Sequence, residues 1–255
     1  MLLIASALKG YAIEATDGVL GTVSDFLFDD GSWKIRWLVV DTGGWLPGRK
    51  VLLHPSALDE VNHLTETVAV RLTRTQVQHS PDITRDEPVS RQMEYDTYHY
   101  YGWDPLWGGG AYGMGMIASP LMMPPQTSEA EREVEQLVQD RLEGDDPQLR
   151  SMHAVKGYHI EATDGGIGHV QDFIIDEPSW SLRYLIIDTS NWWFGQHVLI
   201  SPYAVTDIDW SDSKVRLNVT REQIKSSPAW DPATIVNTQY EQLLHSHYAW
   251  PGYGW

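Results

Sequence analysis

The chain has 255 residues, 42% of them hydrophobic, enough to bury a sizeable core in one or two domains. It contains no cysteine, which excludes disulfides, thiolate metal centres, iron–sulfur clusters and thiol nucleophiles and leaves stability to packing. A formal net charge of −17 argues against a nucleic-acid partner, because binders of phosphate backbones neutralise them with clustered Lys and Arg.

The chain opens with MLLIASALKGY, an apolar start without a basic leader or a cleavage pattern, and no stretch approaches the roughly 18 apolar residues of a membrane span. The expectation is an unexported, cytoplasmic protein with no transmembrane segment. Short runs rich in Val, Ile, Leu, Trp and Phe then place strands near 9–14, 21–29, 33–41, 50–54, 58–63 and 67–73. Asp17-Gly18 supplies the positive-φ residue of a tight turn between the first two. A short helix from Thr73 to about residue 79 ends before Pro81, closing a first unit over residues 1–81.

Residues 82–147 hold most of the acidity, with 4 Lys and Arg against 14 Asp and Glu, compared with 7 against 9 for 1–81 and 7 against 10 for 148–228. A helix is expected over about 89–99, followed by an aromatic arm and a Gly-, Met- and Pro-rich linker through residue 127. Ser128 and Glu131 form a capping box for an amphipathic helix that ends at Gly144, with Ala130, Val134, Leu137, Val138, Arg141 and Leu142 on one face.

The second unit, 148–228, repeats the first. KGYHIEATDG at 156–165 restates KGYAIEATDG at 9–18, and an offset of 147 aligns 8–81 with 155–228 without a gap, at 32 identities in 74 positions. Strands are therefore expected again at 156–161, 168–176, 180–188, 197–201, 205–210 and 214–220, with a short helix over 220–226. Residues 229–255 add a helix over about 232–246 and a second aromatic arm, HYAWPGYGW. A repeat of about 75 residues is large enough to close its own core, so two separate domains are expected, each a small closed or half-closed β-barrel that hides the edges of its six strands. The fold class is mainly β.

KGYxIEATDG, GxVxDF, the strand W-x-(I/L)-R-(W/Y)-L ending in Asp-Thr, the Trp-Gly loop and the terminal R-x-Q with Ser-Pro together resemble the PRC-barrel family. The resemblance covers both copies, about 150 residues. It implies an adaptor barrel without known chemistry, related to the cytoplasmic domain of the photosynthetic reaction centre H subunit and to the barrel that closes a ribosome-maturation factor. Met1 aligns with Gln148, so the first barrel is expected to begin at the N-terminus with no membrane helix ahead of it, unlike a transmembrane H-type subunit. A photosynthetic accessory role at the membrane surface, like that of the reaction centre H subunit and through peripheral contact with a membrane protein, stands as an alternative.

An enzymatic alternative rests on LVVDTGG at 38–44 and LIIDTSN at 185–191, which resemble the Asp-Thr-Gly segments of aspartic proteases and would make Asp41 and Asp188 a shared-proton pair. Ser190 stands where that motif needs Gly, and the competing reading is that both carboxylates bind loop N–H groups in Asx turns. His99, His245 and His247 have no metal-ligand spacing, and no phosphate loop, nucleophile elbow or dinucleotide fingerprint is present, so no metal or cofactor is expected. The candidate interaction residues are the loop tryptophans Trp45 and Trp192 and the arm aromatics Tyr101, Trp103, Tyr248 and Trp250, each either packed on its barrel or offered to a protein partner or a second copy.

Overall fold

The structure, a computed structural model, describes residues 1–82, 89–103, 149–189 and 197–253. The expected Gly/Met linker, the acidic helix and Trp192 lie outside these residues.

Each repeat is a curled sheet. The first contains β2 (Ala12–Ala15), β3 (Gly18–Asp29), β4 (Ile35–Asp41), β5 (Lys50–Leu53), β6 (Leu58–Asn62) and β7 (Thr67–Val70), in the order β5-β4-β3-β2-β7-β6. All neighbours are antiparallel except β2 and β7. The two ends of the path, β5 and β6, are joined through His54 and a single 3-10 turn at Pro55–Ala57, which bends the sheet round on itself. The second repeat matches it with β9 (His159–Ala162), β10 (Gly165–Asp176), β11 (Ser181–Asp188), β12 (His197–Ile200), β13 (Val205–Asp209) and β14 (Lys214–Leu217). Each barrel ends in a one-turn helix, α1 (Arg74–Gln78) or α4 (Arg221–Lys225), started by a full capping box at Thr73/Gln76 or Thr220/Gln223.

The glycine of GxVxDF has a steric cause. A Cβ on Gly21 would sit 2.0 Å from the Asp41 carbonyl oxygen, and one on Gly168 equally close to that of Asp188, so the long strand passes against its neighbour only without a side chain there.

The repeats are not separately closed, and here the expectation of two self-contained cores is corrected. Residues before the first barrel form β1 (Leu2–Ile4), which pairs with β10 of the second repeat, Leu2 opposite Asp176 and Ile4 opposite Ile174. Reciprocally, β8 (Leu149–Ser151) pairs with β3 of the first, Leu149 opposite Asp29 and Ser151 opposite Leu27. The reason lies in the twelve-residue strands: β2 and β9 cover only the first part of β3 and β10, and the uncovered edge takes a strand from the other repeat. Between them, the Ile35 N–H donates to the Trp180 carbonyl and the Leu182 N–H to that of Trp33, both at 2.8 Å. Trp33 (φ 58°) and Trp180 (φ 47°) hold the left-handed backbone that aims these carbonyls across the seam. Phe28 and Phe173 meet at 5.8 Å, and one core runs through both repeats.

Polar contacts along the seam differ on its two sides. Asp25 accepts from the Ser151 hydroxyl and the His153 N–H, which starts the turn of helix α3 (Met152–Val155), while Asp30 pairs with Arg150, whose guanidinium lies 5.0 Å over the Trp210 ring. On the other side Glu177 faces His63 at 3.5 Å and the Met1 ammonium at 4.0 Å.

Candidate interaction site

Strand β4 is buried on both faces. Leu38 and Val40 point into the barrel, whereas Trp37 and Val39 lie beneath helix α2 (Arg91–Tyr101), which packs on the barrel's outside with Val89 and Tyr98. Helix α5 (Thr238–Tyr248) does the same over Tyr184 and Ile186 of β11. These helices begin and end a few residues later than expected because their caps are Ser90 and Asn237, each accepting the N–H three residues on.

Beneath each helix is a buried carboxylate that motif reading overlooked. Glu94 is fully buried and accepts from the Arg36 guanidinium (2.8 Å) and the Trp37 indole. Glu241, at the corresponding place, accepts from the Tyr184 hydroxyl at 2.9 Å, and that oxygen lies 2.9 Å from Nε2 of His245, whose Nδ1 donates to the Pro251 carbonyl. Burial, opposed by that carbonyl, lowers the pKa of His245. The signal was available: the offset of 147 continues through Val89/Val236, Glu94/Glu241, Tyr101/Tyr248 and Trp103/Trp250, past the Pro at which the repeat was expected to stop.

The arms turn back onto the barrels. Gly102 (φ 70°) ends α2 in the left-handed conformation, Ala249 (φ 56°) takes the same role after α5, and the next N–H groups, of Trp103 and Trp250, return to the Tyr98 and His245 carbonyls. Tyr101 stacks on Trp103 with centroids 4.2 Å apart, and Tyr248 on Trp250 at 4.1 Å. Burial pushes the phenols of Tyr101 and Tyr248 up to about 12. Trp103 and Trp250 remain half-buried. Trp45 is half-buried in the loop after β4, with the Arg74 guanidinium 4.6 Å over its ring. Trp103 also closes a cage with Trp37 and Tyr98 around the imidazole of His54, all three centroids 5.7–5.8 Å away.

The acidic candidates stand at the ends of strands β4 and β11. Asp41 is exposed at the end of β4 and accepts from the Gly43 N–H at 2.8 Å, the Asx turn, while the adjacent Thr42 is buried and donates to the Leu46 and Arg49 carbonyls. Asp188 ends β11 and lies 3.7 Å from Nε2 of His169. Among the histidines of the sequence reading, His99 stacks on Tyr95, and His247 meets the Gln223 carbonyl at 2.8 Å. Among the described residues no group of three His, Asp or Glu is placed to hold a metal ion, and no helix is long and apolar enough to cross a membrane.

No curated protein matches the chain. The family model described as "PRC-barrel domain" matches it twice, over residues 3–74 and 153–224, more than half its length and once in each repeat. Those two matches, on two curled sheets with the same strand order, make the chain a member of the PRC-barrel domain family carrying a tandem duplication.

Proposed function

We propose that the protein is a cytoplasmic, non-enzymatic adaptor that uses its paired PRC-barrels for protein–protein assembly. The observation that carries this reading is the engagement of Asp41 and of the buried titratable side chains in the fold. Asp41 closes a turn, Glu94 anchors α2, and Glu241 with Tyr184 and His245 anchors α5 and its arm. Family membership supports the same reading, since an adaptor barrel without chemistry is what the resemblance implies. The division into a barrel over 1–81, a connector over 82–147, a barrel over 148–228 and an arm over 229–255 stands as the working organisation, with the strand exchange tying the two barrels together.

The partner-facing residues we assign are the half-buried rings Trp45, Trp103 and Trp250, backed by Tyr101 and Tyr248, together with Trp192. An exposed aromatic edge held by a stacked neighbour is a pre-ordered anchor, and such anchors dominate interface energetics. The test is affinity capture with the intact chain against a Trp45→Ala, Trp103→Ala double variant, beside a peptidase assay at acidic pH. Adaptor function predicts a stoichiometric protein partner that the double variant loses while keeping its circular dichroism spectrum. Peptidase activity abolished by Asp41→Asn and by Asp188→Asn would replace the adaptor with a hydrolase.

A further inference from the structure

The seam between the repeats is built from contacts related by an approximate dyad: β1 on β10 against β8 on β3, and Ile35 to Trp180 against Leu182 to Trp33. The Lys34–Ser181 bridge, whose two residues are equivalent under the repeat, lies on that axis. An interface of this kind is self-complementary, and nothing in its chemistry requires both halves to belong to one chain. We propose that a second copy of the chain is a partner at this seam. In the resulting dimer the first repeat of each molecule pairs with the second repeat of the other, through the same strand exchange that closes the monomer.

The pairing rule follows from the polar contacts. Asp25 and Asp30 on the first repeat receive Ser151 and Arg150 from β8. The equivalent residues of β1 are Ile4 and Leu3, which carry no donor. Two first repeats brought together would set both carboxylates beside aliphatic side chains in place of the Ser151 hydroxyl and the Arg150 guanidinium. On the second repeat Asp172 is already held by Lys156 at 2.8 Å, which leaves β10 able to receive the apolar Leu2–Ile4. A first repeat therefore selects a second repeat, its own or a neighbour's.

Residues 104–148 join Trp103 to Leu149 in both arrangements, so the two repeats of one chain stay tethered whichever partner each takes. Because the contacts are the same in both, the balance is set by the chain concentration against the effective concentration of the tethered repeats. The closed monomer dominates in dilute solution, and the reciprocal dimer forms on refolding at high concentration.

The chain's lack of cysteine makes the test direct. Leu2 and Asp176 are opposite each other across one half of the seam, and Asp29 and Leu149 across the other. Opposed residues in antiparallel strands lie about 4.5–5.5 Å apart at Cα, within disulfide range. Chains carrying Leu2→Cys and, with a different tag, Asp176→Cys are unfolded together, refolded from about 10 μM to about 1 mM, oxidised and resolved by mass. The expected result is a mixed-tag disulfide dimer whose yield rises with concentration, with no such product from Leu2→Cys mixed with Asp29→Cys. A single chain bearing both Leu2→Cys and Asp176→Cys should close internally, which shows that the substitutions permit the fold; the Asp29→Cys, Leu149→Cys pair serves if they do not. Absence of the mixed dimer at every concentration, in chains that close internally, overturns the proposal. Equal linking of Leu2→Cys to Asp29→Cys overturns the pairing rule. Neither outcome depends on the adaptor reading.

Discussion

His54 should make the first barrel acid-sensitive in a way the second is not. Its Nδ1 accepts the Ser56 N–H at the start of the 3-10 turn, and its ring lies within the cage of Trp37, Tyr98 and Trp103. Burial, with the Arg36 guanidinium nearby, depresses the imidazole from its ordinary 6.5 to about 4. The folded state therefore resists a proton that the unfolded chain takes up readily. Stability from this group is complete above pH 6.5 and is lost as pH falls from 6.5 towards 4. At about 1.36 kcal/mol per tenfold in proton affinity the ceiling is about 3 kcal/mol, and residual contact of the ring with water brings the expectation to about 2 kcal/mol. Serine is the natural control, because Ser201 occupies the same place in the second repeat and accepts the equivalent N–H. Urea unfolding of the parent and of His54→Ser at intervals between pH 7.5 and 4 measures the difference. The variant starts less stable, having lost the ring from its cage, but the gap should close by about 2 kcal/mol as the pH falls. Parallel curves across the whole range would refute the reasoning.

Two further outcomes follow from the packing. Glu94→Ala should cost about 3–5 kcal/mol in denaturant unfolding, since it takes from the buried Arg36 the carboxylate 2.8 Å away and leaves Asp29 at 3.5 Å. A chain cut at a protease site inserted within residues 104–148 should elute as one particle of unchanged mass, because each half holds a strand of the other; elution as two half-sized species would show that the seam does not hold without the connector.

Much of the architecture was legible because local chemistry and tertiary need agree. The strand positions, the Asp-Gly turns and the capping boxes at Thr73 and Thr220 follow from residues within a few positions of one another. The runs Trp37 to Val40 and Tyr184 to Ile187 are apolar throughout and buried on both faces, with a helix over the outer side of each strand. What escaped sequence reading was long-range. MLLI looked like a short apolar start because nothing near residue 2 says that its partner is residue 176. Glu94 read as one more acidic residue of an acidic connector, since its burial depends on Arg36 and Trp37, almost sixty positions earlier. The aromatics of the arms were legible as a group, but how far each ring is enclosed depended on the left-handed caps at Gly102 and Ala249.

The exchange of leading strands also sets an order of events during synthesis. Leu2, Leu3 and Ile4 are made about 170 residues before the strand they pair with, Ile174 to Asp176. At about 5–20 residues per second the ribosome takes roughly 10–35 s to deliver it. Throughout that interval the first barrel can curl β2 to β7 into place, but its own β1 has nowhere to dock and β3 waits for β8. The nascent chain thus carries an undocked apolar segment and an open strand edge until the first strands of the second repeat emerge, and in that interval both are open to pairing with strands of other chains.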